Sequence, residues 1–70
     1  MNIEIKLKEI LKRLNMEQKE LAELTGLSSR TISELVNNKT ERIPKTALVK
    51  IAIALNIIDI RELIDFVEEQ

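Results

Sequence analysis

The stretch QKELAELTGLSSRTISELVN, residues 18–37, carries the signals of two short helices joined by a tight turn. Before the turn, Leu21, Ala22 and Leu24 have helical spacing on one face. Gly26 is the only glycine of the chain and stands where that helix should end. The position after a helix favours left-handed backbone, which glycine enters without strain. The stretch therefore predicts a helix that stops at Gly26 and a second helix that starts almost at once.

The second of these helices has an inner and an outer face. Ser28 offers a hydroxyl as its N-cap, and Ile32, Leu35 and Val36 form its apolar side. About three residues separate the two helices, too few for antiparallel packing along their full length, so they should cross steeply as a helix-turn-helix. The residues left on the outer face are Ser29, Arg30, Ser33 and Glu34.

The flanking sequence predicts three more helices. Apolar spacing from Ile3 to Leu14 indicates an amphipathic first helix, which ends near Asn15. Either Asn15 or Glu17 caps the second helix, and Asn15 has a glutamine three residues later, as in a capping box. The polar run at residues 37–40 predicts a loop before the fourth helix.

The last two helices are predicted over about residues 44–69. Pro44 fits the first turn of the fourth helix, and Asn56 ends it. Asp59 and Glu62 form a D-x-x-E capping box that opens a fifth helix. The expected fold is all-α, a single five-helix domain over residues 1–70.

Composition excludes several classes of function. The chain has no cysteine and no histidine, so it lacks a disulfide framework, a thiol nucleophile and the commonest general base. We therefore expect no enzyme, no metal site and no cofactor. No apolar run approaches the roughly 18 residues of a membrane span, and no signal-peptide pattern is present. A cytoplasmic protein without membrane contact is the expectation.

The net charge of −1 hides a segregated distribution. Residues 1–50 contain ten Lys or Arg against seven Asp or Glu, a net of +3, whereas residues 51–70 contain one against five, a net of −4. The pI of 5.4 by itself argues against a nucleic-acid partner. The basic surplus of the first part argues the other way.

Together the motif residues resemble the phage repressor and Cro-type (Xre) helix-turn-helix family. The similarity continues through LVKIAIALNI at residues 48–57 and IRELI at residues 60–64, so it covers roughly residues 5–65. It implies a sequence-specific regulator of transcription that binds double-stranded DNA, a repressor acting as a homodimer on a palindromic operator. The positions that match the family pattern are Gln18, Leu21, Ala22, Gly26, Ile32 and Asn37.

The resemblance also implies residue roles. The outer face of the third helix, Ser29, Arg30, Ser33 and Glu34, corresponds to the positions that reach base edges. Arg30 can bond bidentately to guanine and Glu34 can accept from a cytosine amine, although Glu34 can instead pair with Arg30 one turn away. The implied contacts to the DNA backbone are Gln18, Ser28, Asn37, Lys39, Thr40, Arg42 and Lys45.

Two questions stay open at this point. The surplus apolar residues of helices 4 and 5 form a dimer contact or, alternatively, complete a small core. The acidic residues Glu17, Glu34 and Glu41 motivate a second function, a protein-interaction domain or antitoxin-type partner of another protein in which DNA binding is weak or secondary. The residues predicted for the dimer contact are Val49, Ile53, Ile58, Phe66 and Val67.

Overall fold

A short antiparallel sheet joins two segments from opposite ends of the chain. A computed structural model describes residues 1–68. Strand β1 (Asn2–Ile5) pairs with strand β2 (Ile64–Val67), with Ile5 opposite Ile64 and Asn2 opposite Val67. Between the strands lie helices α1 (Leu7–Leu14), α2 (Gln18–Thr25), α3 (Ser29–Val36) and α4 (Lys45–Leu55), followed by a single 3₁₀ turn (Ile60–Glu62).

One apolar core holds the helices and the sheet together. Both helices of the central motif contribute to it, because Leu21 of α2 and Ile32 of α3 are completely buried. The core extends to the sheet through the buried side chains of Ile5, in β1, and Leu63, just before β2. Among the described residues no charged or polar side chain is buried with the core. The buried residues are Ile5, Leu7, Ile10, Leu11, Leu21, Ile32, Leu35, Val36, Ala47, Leu48, Ile51 and Leu63.

Each of the four helices is followed by left-handed backbone. The φ angles are 54° at Asn15 after α1, 75° at Gly26 after α2, 55° at Asn38 after α3 and 57° at Asn56 after α4. Asparagine is one of the few residues besides glycine that enter this conformation routinely. A chain with a single glycine therefore uses asparagine at the other three helix ends.

The prediction of five helices in an all-α fold is wrong at both ends of the chain. Residues 2–5 form β1 rather than the first turn of a helix that begins at Ile3, and residues 64–67 form β2 rather than the body of helix 5. The described residues contain four α-helices. Residues 69 and 70, to which the predicted domain and its fifth helix extend, lie outside the described residues.

Residues 3–5 and 64–67 are predicted as helix because their apolar patterns fit both a helix and a short strand. In β1, Ile3 and Ile5 alternate with polar residues, and in β2, Asp65 separates Ile64 from Phe66, which suits a sheet with one apolar face. Asp59 still acts as a cap, since its carboxylate accepts from the Arg61 N–H at 2.9 Å, but it opens a 3₁₀ turn.

The helix starts differ in detail from the predicted capping. Asn15 ends α1, so the capping box from Asn15 does not form, and Glu17 is the N-cap of α2. The Glu20 carboxylate accepts from the Glu17 N–H at 3.1 Å. Pro44 stands immediately before α4 rather than inside its first turn.

Candidate DNA-binding surface

The turn between α2 and α3 is built by Gly26 and its neighbours. The Gly26 N–H donates to the Ala22 carbonyl at 2.9 Å, and this bond closes the last turn of α2. A Cβ added at Gly26 would meet no heavy atom within 4 Å, so the position requires glycine for its φ angle and not for space. The Leu27 N–H then donates to the Thr25 hydroxyl at 3.2 Å, and the half-buried Leu27 packs against the core. These contacts fix the angle at which α3 leaves α2.

Helix α3 is anchored on one side and free on the other. Ser28 caps it, with its hydroxyl accepting from the Thr31 N–H at 3.1 Å, as the sequence predicts. Ile32, Leu35 and Val36 are buried against the other helices. The four residues predicted to contact bases lie away from this core: Ser29, Arg30 and Glu34 are exposed, and Ser33 is half-buried.

Arg30 and Glu34 face each other on the exposed side of α3. The Arg30 Nε lies 3.9 Å from the Glu34 Oε2, and the two side chains are 87% and 48% exposed. This distance exceeds hydrogen-bonding range, so the contact is a loose, solvated ion pair. Both sequence-based interpretations of Glu34 remain compatible with it, because a pair of this kind breaks readily when a base edge approaches.

Apart from Ser28, which is the N-cap of α3, the residues predicted to contact the DNA backbone form two groups. Gln18 and Asn37 lie together, since both line one groove between the start of α2 and the end of α3. The Asn37 amide donates to the Ser33 carbonyl at 2.9 Å, which holds the side chain against α3. The second group, on the loop after α3 and at the start of α4, consists of Lys39, Thr40, Arg42 and Lys45, of which only Thr40 is half-buried.

Two lysines of α1, missing from the sequence-based prediction, line the same groove. The groove has a volume of about 480 Å³, and Lys8 and Lys12 stand on its wall beside Gln18 and Asn37. Their four-residue spacing places them on one face of α1, which is the signal that the sequence offered. Lys8 and Lys12 are exposed and bring two positive charges to a groove that also contains the amides of Gln18 and Asn37 and the carboxylate of Glu17.

The titratable groups with shifted pKa values lie outside this surface. The guanidinium of Arg61 lowers the pKa of Asp59 by hydrogen bonding to its carboxylate, and the same bond raises the pKa of Arg61. Within residues 1–68, no group of three or more His, Cys, Asp or Glu side chains is arranged to hold a metal ion. The pair with shifted pKa values therefore lies apart from α3.

The comparison with protein families agrees with this geometry. A family model described as the Cro/C1-type HTH DNA-binding domain matches residues 6–69. The chain belongs to this family. No curated protein and no solved structure matches the chain. The resemblance to the Cro and Xre-type helix-turn-helix domains is thereby confirmed, and the helix-turn-helix of this Cro/C1-type domain consists of α2 and α3.

The predicted dimer residues of the Cro/C1-type domain fall in separate places. On and after α4, Val49 and Ile53 are exposed, and Ile58 is 98% exposed. Phe66 and Val67 are neighbours in β2, so their side chains point to opposite faces of the sheet. Val49 and Ile58 line one apolar groove of about 190 Å³, whereas Ile53 lines a second groove beside Leu24.

Across the described part of the chain, none of the helices combines the length and apolarity needed to cross a membrane.

Proposed function

We propose that this Cro/C1-type domain is a sequence-specific regulator of transcription that represses by binding a palindromic operator in double-stranded DNA as a homodimer. The observation that carries the proposal is the α2–α3 helix-turn-helix, which presents the exposed face of α3 to solvent within a family of DNA-binding domains. Residues 1–70 act as one domain in this proposal. Its activity is binding without catalysis, and its compartment is the cytoplasm.

Base recognition is assigned to the outer face of α3. In the proposed complex this helix enters the major groove, where its side chains meet base edges. Arg30 donates to a guanine, and Glu34 accepts from a cytosine amine once the loose contact between the two side chains opens. Ser29 and Ser33 are short and allow the helix backbone to approach the groove closely.

Phosphate binding is assigned to two groups of residues, one in the groove between the start of α2 and the end of α3 and one around the loop after α3. Gln18 and Asn37 bind one phosphate in their groove, with Lys8 and Lys12 supplying the positive charge. Phosphate contacts position the domain and carry no sequence information themselves. At the start of α3, on the loop after it and at the start of α4, the proposed backbone contacts are Ser28, Lys39, Thr40, Arg42 and Lys45.

Dimerisation is assigned to the apolar surface around α4. Val49, Ile53 and Ile58 are large exposed apolar side chains, and burying them between two copies removes them from water. On β2, the exposed Phe66 is assigned to the same contact, and Val67, which points to the opposite face of the sheet, is assigned to its margin. A two-fold dimer places two α3 helices on half-sites about 34 Å apart, which matches a palindromic operator.

One alternative function has an observation in its favour. Glu34 lies close enough to Arg30 to occupy its guanidinium, and large apolar side chains are exposed around α4. A domain that docks onto another protein through the α4 surface, as an antitoxin-type partner does, would use the same features. DNA binding would then be weak or secondary.

Selection from a pool of random duplexes tests the proposal against this alternative. Enrichment of one palindromic sequence is expected, with an affinity that falls steeply as salt rises, because each phosphate contact releases counterions. The titration is repeated at low and high salt, and repressor activity is then measured with a reporter that carries the selected sequence between its promoter and its gene. Failure to enrich any duplex at low salt would favour the protein-interaction function.

A further inference from the structure

Asn38 links the end of α3 to the sheet. It follows α3 by two residues and has left-handed backbone with φ 55°. Its Oδ1 accepts from the Ile5 N–H at 2.6 Å, and its Nδ2 donates to the Ile5 carbonyl at 3.0 Å. A single side chain thereby satisfies both backbone groups of a residue that lies 33 positions earlier in the chain.

These two bonds replace a third strand at the free edge of β1. Since the N–H and the carbonyl of Ile5 face Asn38, they do not face β2, and Ile5 and Ile64 form a pair without mutual hydrogen bonds. The amide of Asn38 presents one acceptor and one donor, as a neighbouring strand residue would. The edge of the sheet is therefore covered by the residue that starts the loop after α3.

Few other hydrogen bonds attach this loop to the rest of the domain. A groove of about 450 Å³ separates it from β1, lined by residues of the strand and by Thr40, Glu41 and Ile43. The Lys39 N–H donates to the Glu34 carbonyl, and the Thr40 hydroxyl donates to the Arg42 carbonyl, so these bonds stay within α3 and the loop. Within residues 1–68, the Asn38 side chain makes the only hydrogen bonds from residues 37–43 to an element other than α3.

We infer that Asn38 is a positioning residue, which holds Lys39, Thr40 and Arg42 where they reach the DNA backbone. The inference rests on the proposed DNA-binding function. A loop fixed before binding loses less conformational freedom when it meets a phosphate, so its contacts contribute more to affinity. Asn38 acts through the loop and does not itself contact DNA.

Asn38→Gly tests this with little backbone strain, because glycine adopts the left-handed conformation freely while losing both bonds to Ile5. Asn56→Gly is the matched control: Asn56 has φ 57°, ends α4 and makes no side-chain hydrogen bond within residues 1–68. Both variants are titrated with the selected duplex at several salt concentrations, at a temperature where circular dichroism shows them folded. Asn38→Gly is expected to bind about tenfold more weakly, with a salt slope smaller by about 1–2 and unchanged base preference.

A double-mutant cycle separates positioning from a general structural role. Lys39→Ala should weaken binding by the wild-type chain and have much less effect in the Asn38→Gly background, because the loop is already free there. Additive effects of Asn38→Gly and Lys39→Ala overturn the inference. So does an Asn38→Gly variant that binds with the affinity and salt slope of Asn56→Gly.

Amide hydrogen exchange on the unmodified chain provides a measurement that needs no variant. If the Asn38 bonds favour DNA binding, bound duplex must in turn stabilise those bonds, and exchange of the Ile5 amide slows when duplex is added. Unchanged Ile5 exchange at saturating duplex overturns the inference and leaves the proposed function standing. A wild-type chain that binds no duplex overturns the proposed function itself.

Discussion

Replacing Arg30 with alanine should relax base preference at one position of the operator and leave the fold intact. The Arg30 side chain is 87% exposed, and its one ion-pair partner within residues 1–68 is the Glu34 carboxylate at 3.9 Å. Exposed pairs with this helical spacing contribute about 0.3–0.5 kcal/mol. The free energy of unfolding should therefore fall by no more than about 0.5 kcal/mol.

The effect on binding is larger and depends on sequence. A bidentate contact between arginine and guanine discriminates against other bases by about 1–3 kcal/mol, which is about 5- to 150-fold in affinity. On duplexes without that guanine, Arg30→Ala loses only the general attraction of one positive charge. The salt slope on such duplexes should change by no more than about 0.9.

The assay is a fluorescence-anisotropy titration of the selected duplex and of duplexes altered at one base pair at a time. Arg61→Ala is the matched control, because the Arg61 side chain is 86% exposed and also pairs with a carboxylate, that of Asp59 at 2.8 Å. We expect Arg61→Ala to keep the full base preference. If Arg30→Ala discriminates as the wild type does, or if both variants lose the same affinity, the assignment of α3 to base recognition is refuted.

The remaining predictions concern other parts of the domain. Gly26→Ala should reduce the free energy of unfolding by about 1–2 kcal/mol through backbone strain alone, and Gly26→Asn by less, as measured by denaturant unfolding; a larger cost for Asn than for Ala would contradict this reasoning. Removing Lys8 and Lys12 together should lower the salt slope of binding by up to about 1.8 with base preference unchanged, and an unaltered slope would exclude both from the phosphate contacts. The pKa of Asp59 is lowered in the folded state, so its carboxylate contributes stability that is present above about pH 4 and is lost as the pH falls through the folded pKa. Asp59→Asn should therefore flatten the dependence of the unfolding free energy on pH in that acidic range. Ile58→Asp should give a monomer in sedimentation, weaken binding to the palindrome and leave the circular-dichroism spectrum of the folded domain unchanged, and a persistent dimer would place the contact elsewhere.

Local signals predicted the central motif well. The position of Gly26 and the hydroxyl of Ser28 mark the turn between α2 and α3, and both act as the sequence indicates. Asn15 and Asn56 likewise end their helices. Each of these features depends on residues within one helical turn, so the information is contained in a short stretch of sequence.

The sheet could not be predicted in the same way. Ile60, Leu63, Ile64 and Val67 have the spacing of a helix face, and Ile3 with Leu7 does as well. Each strand has only four residues, and the partner of each lies about 60 positions away. Alternation over so short a run is weak evidence, and the pairing that decides between helix and strand is visible only in three dimensions.

Non-local geometry also explains what was missed in the candidate site. Lys8 and Lys12 become neighbours of Gln18 and Asn37 only when α1 packs beside α2 and α3. The contact of Asn38 with β1 likewise joins distant parts of the chain. The sequence indicated which side chains are available for DNA, whereas the packing indicates which of them act together.

The pairing of β1 with β2 also bears on the order in which the domain forms. The hydrogen bonds within the four helices and in the turn between α2 and α3 join near neighbours in the chain, and such local contacts form quickly. Closing the sheet joins residues about 60 positions apart, and for a flexible loop of that size the length-dependent part of the entropic free-energy cost is roughly 3.6 kcal/mol. We therefore expect the helices to assemble first and the sheet to close last. Because Asn38 bonds to β1, the loop after α3 would reach its final position only at this last step of folding.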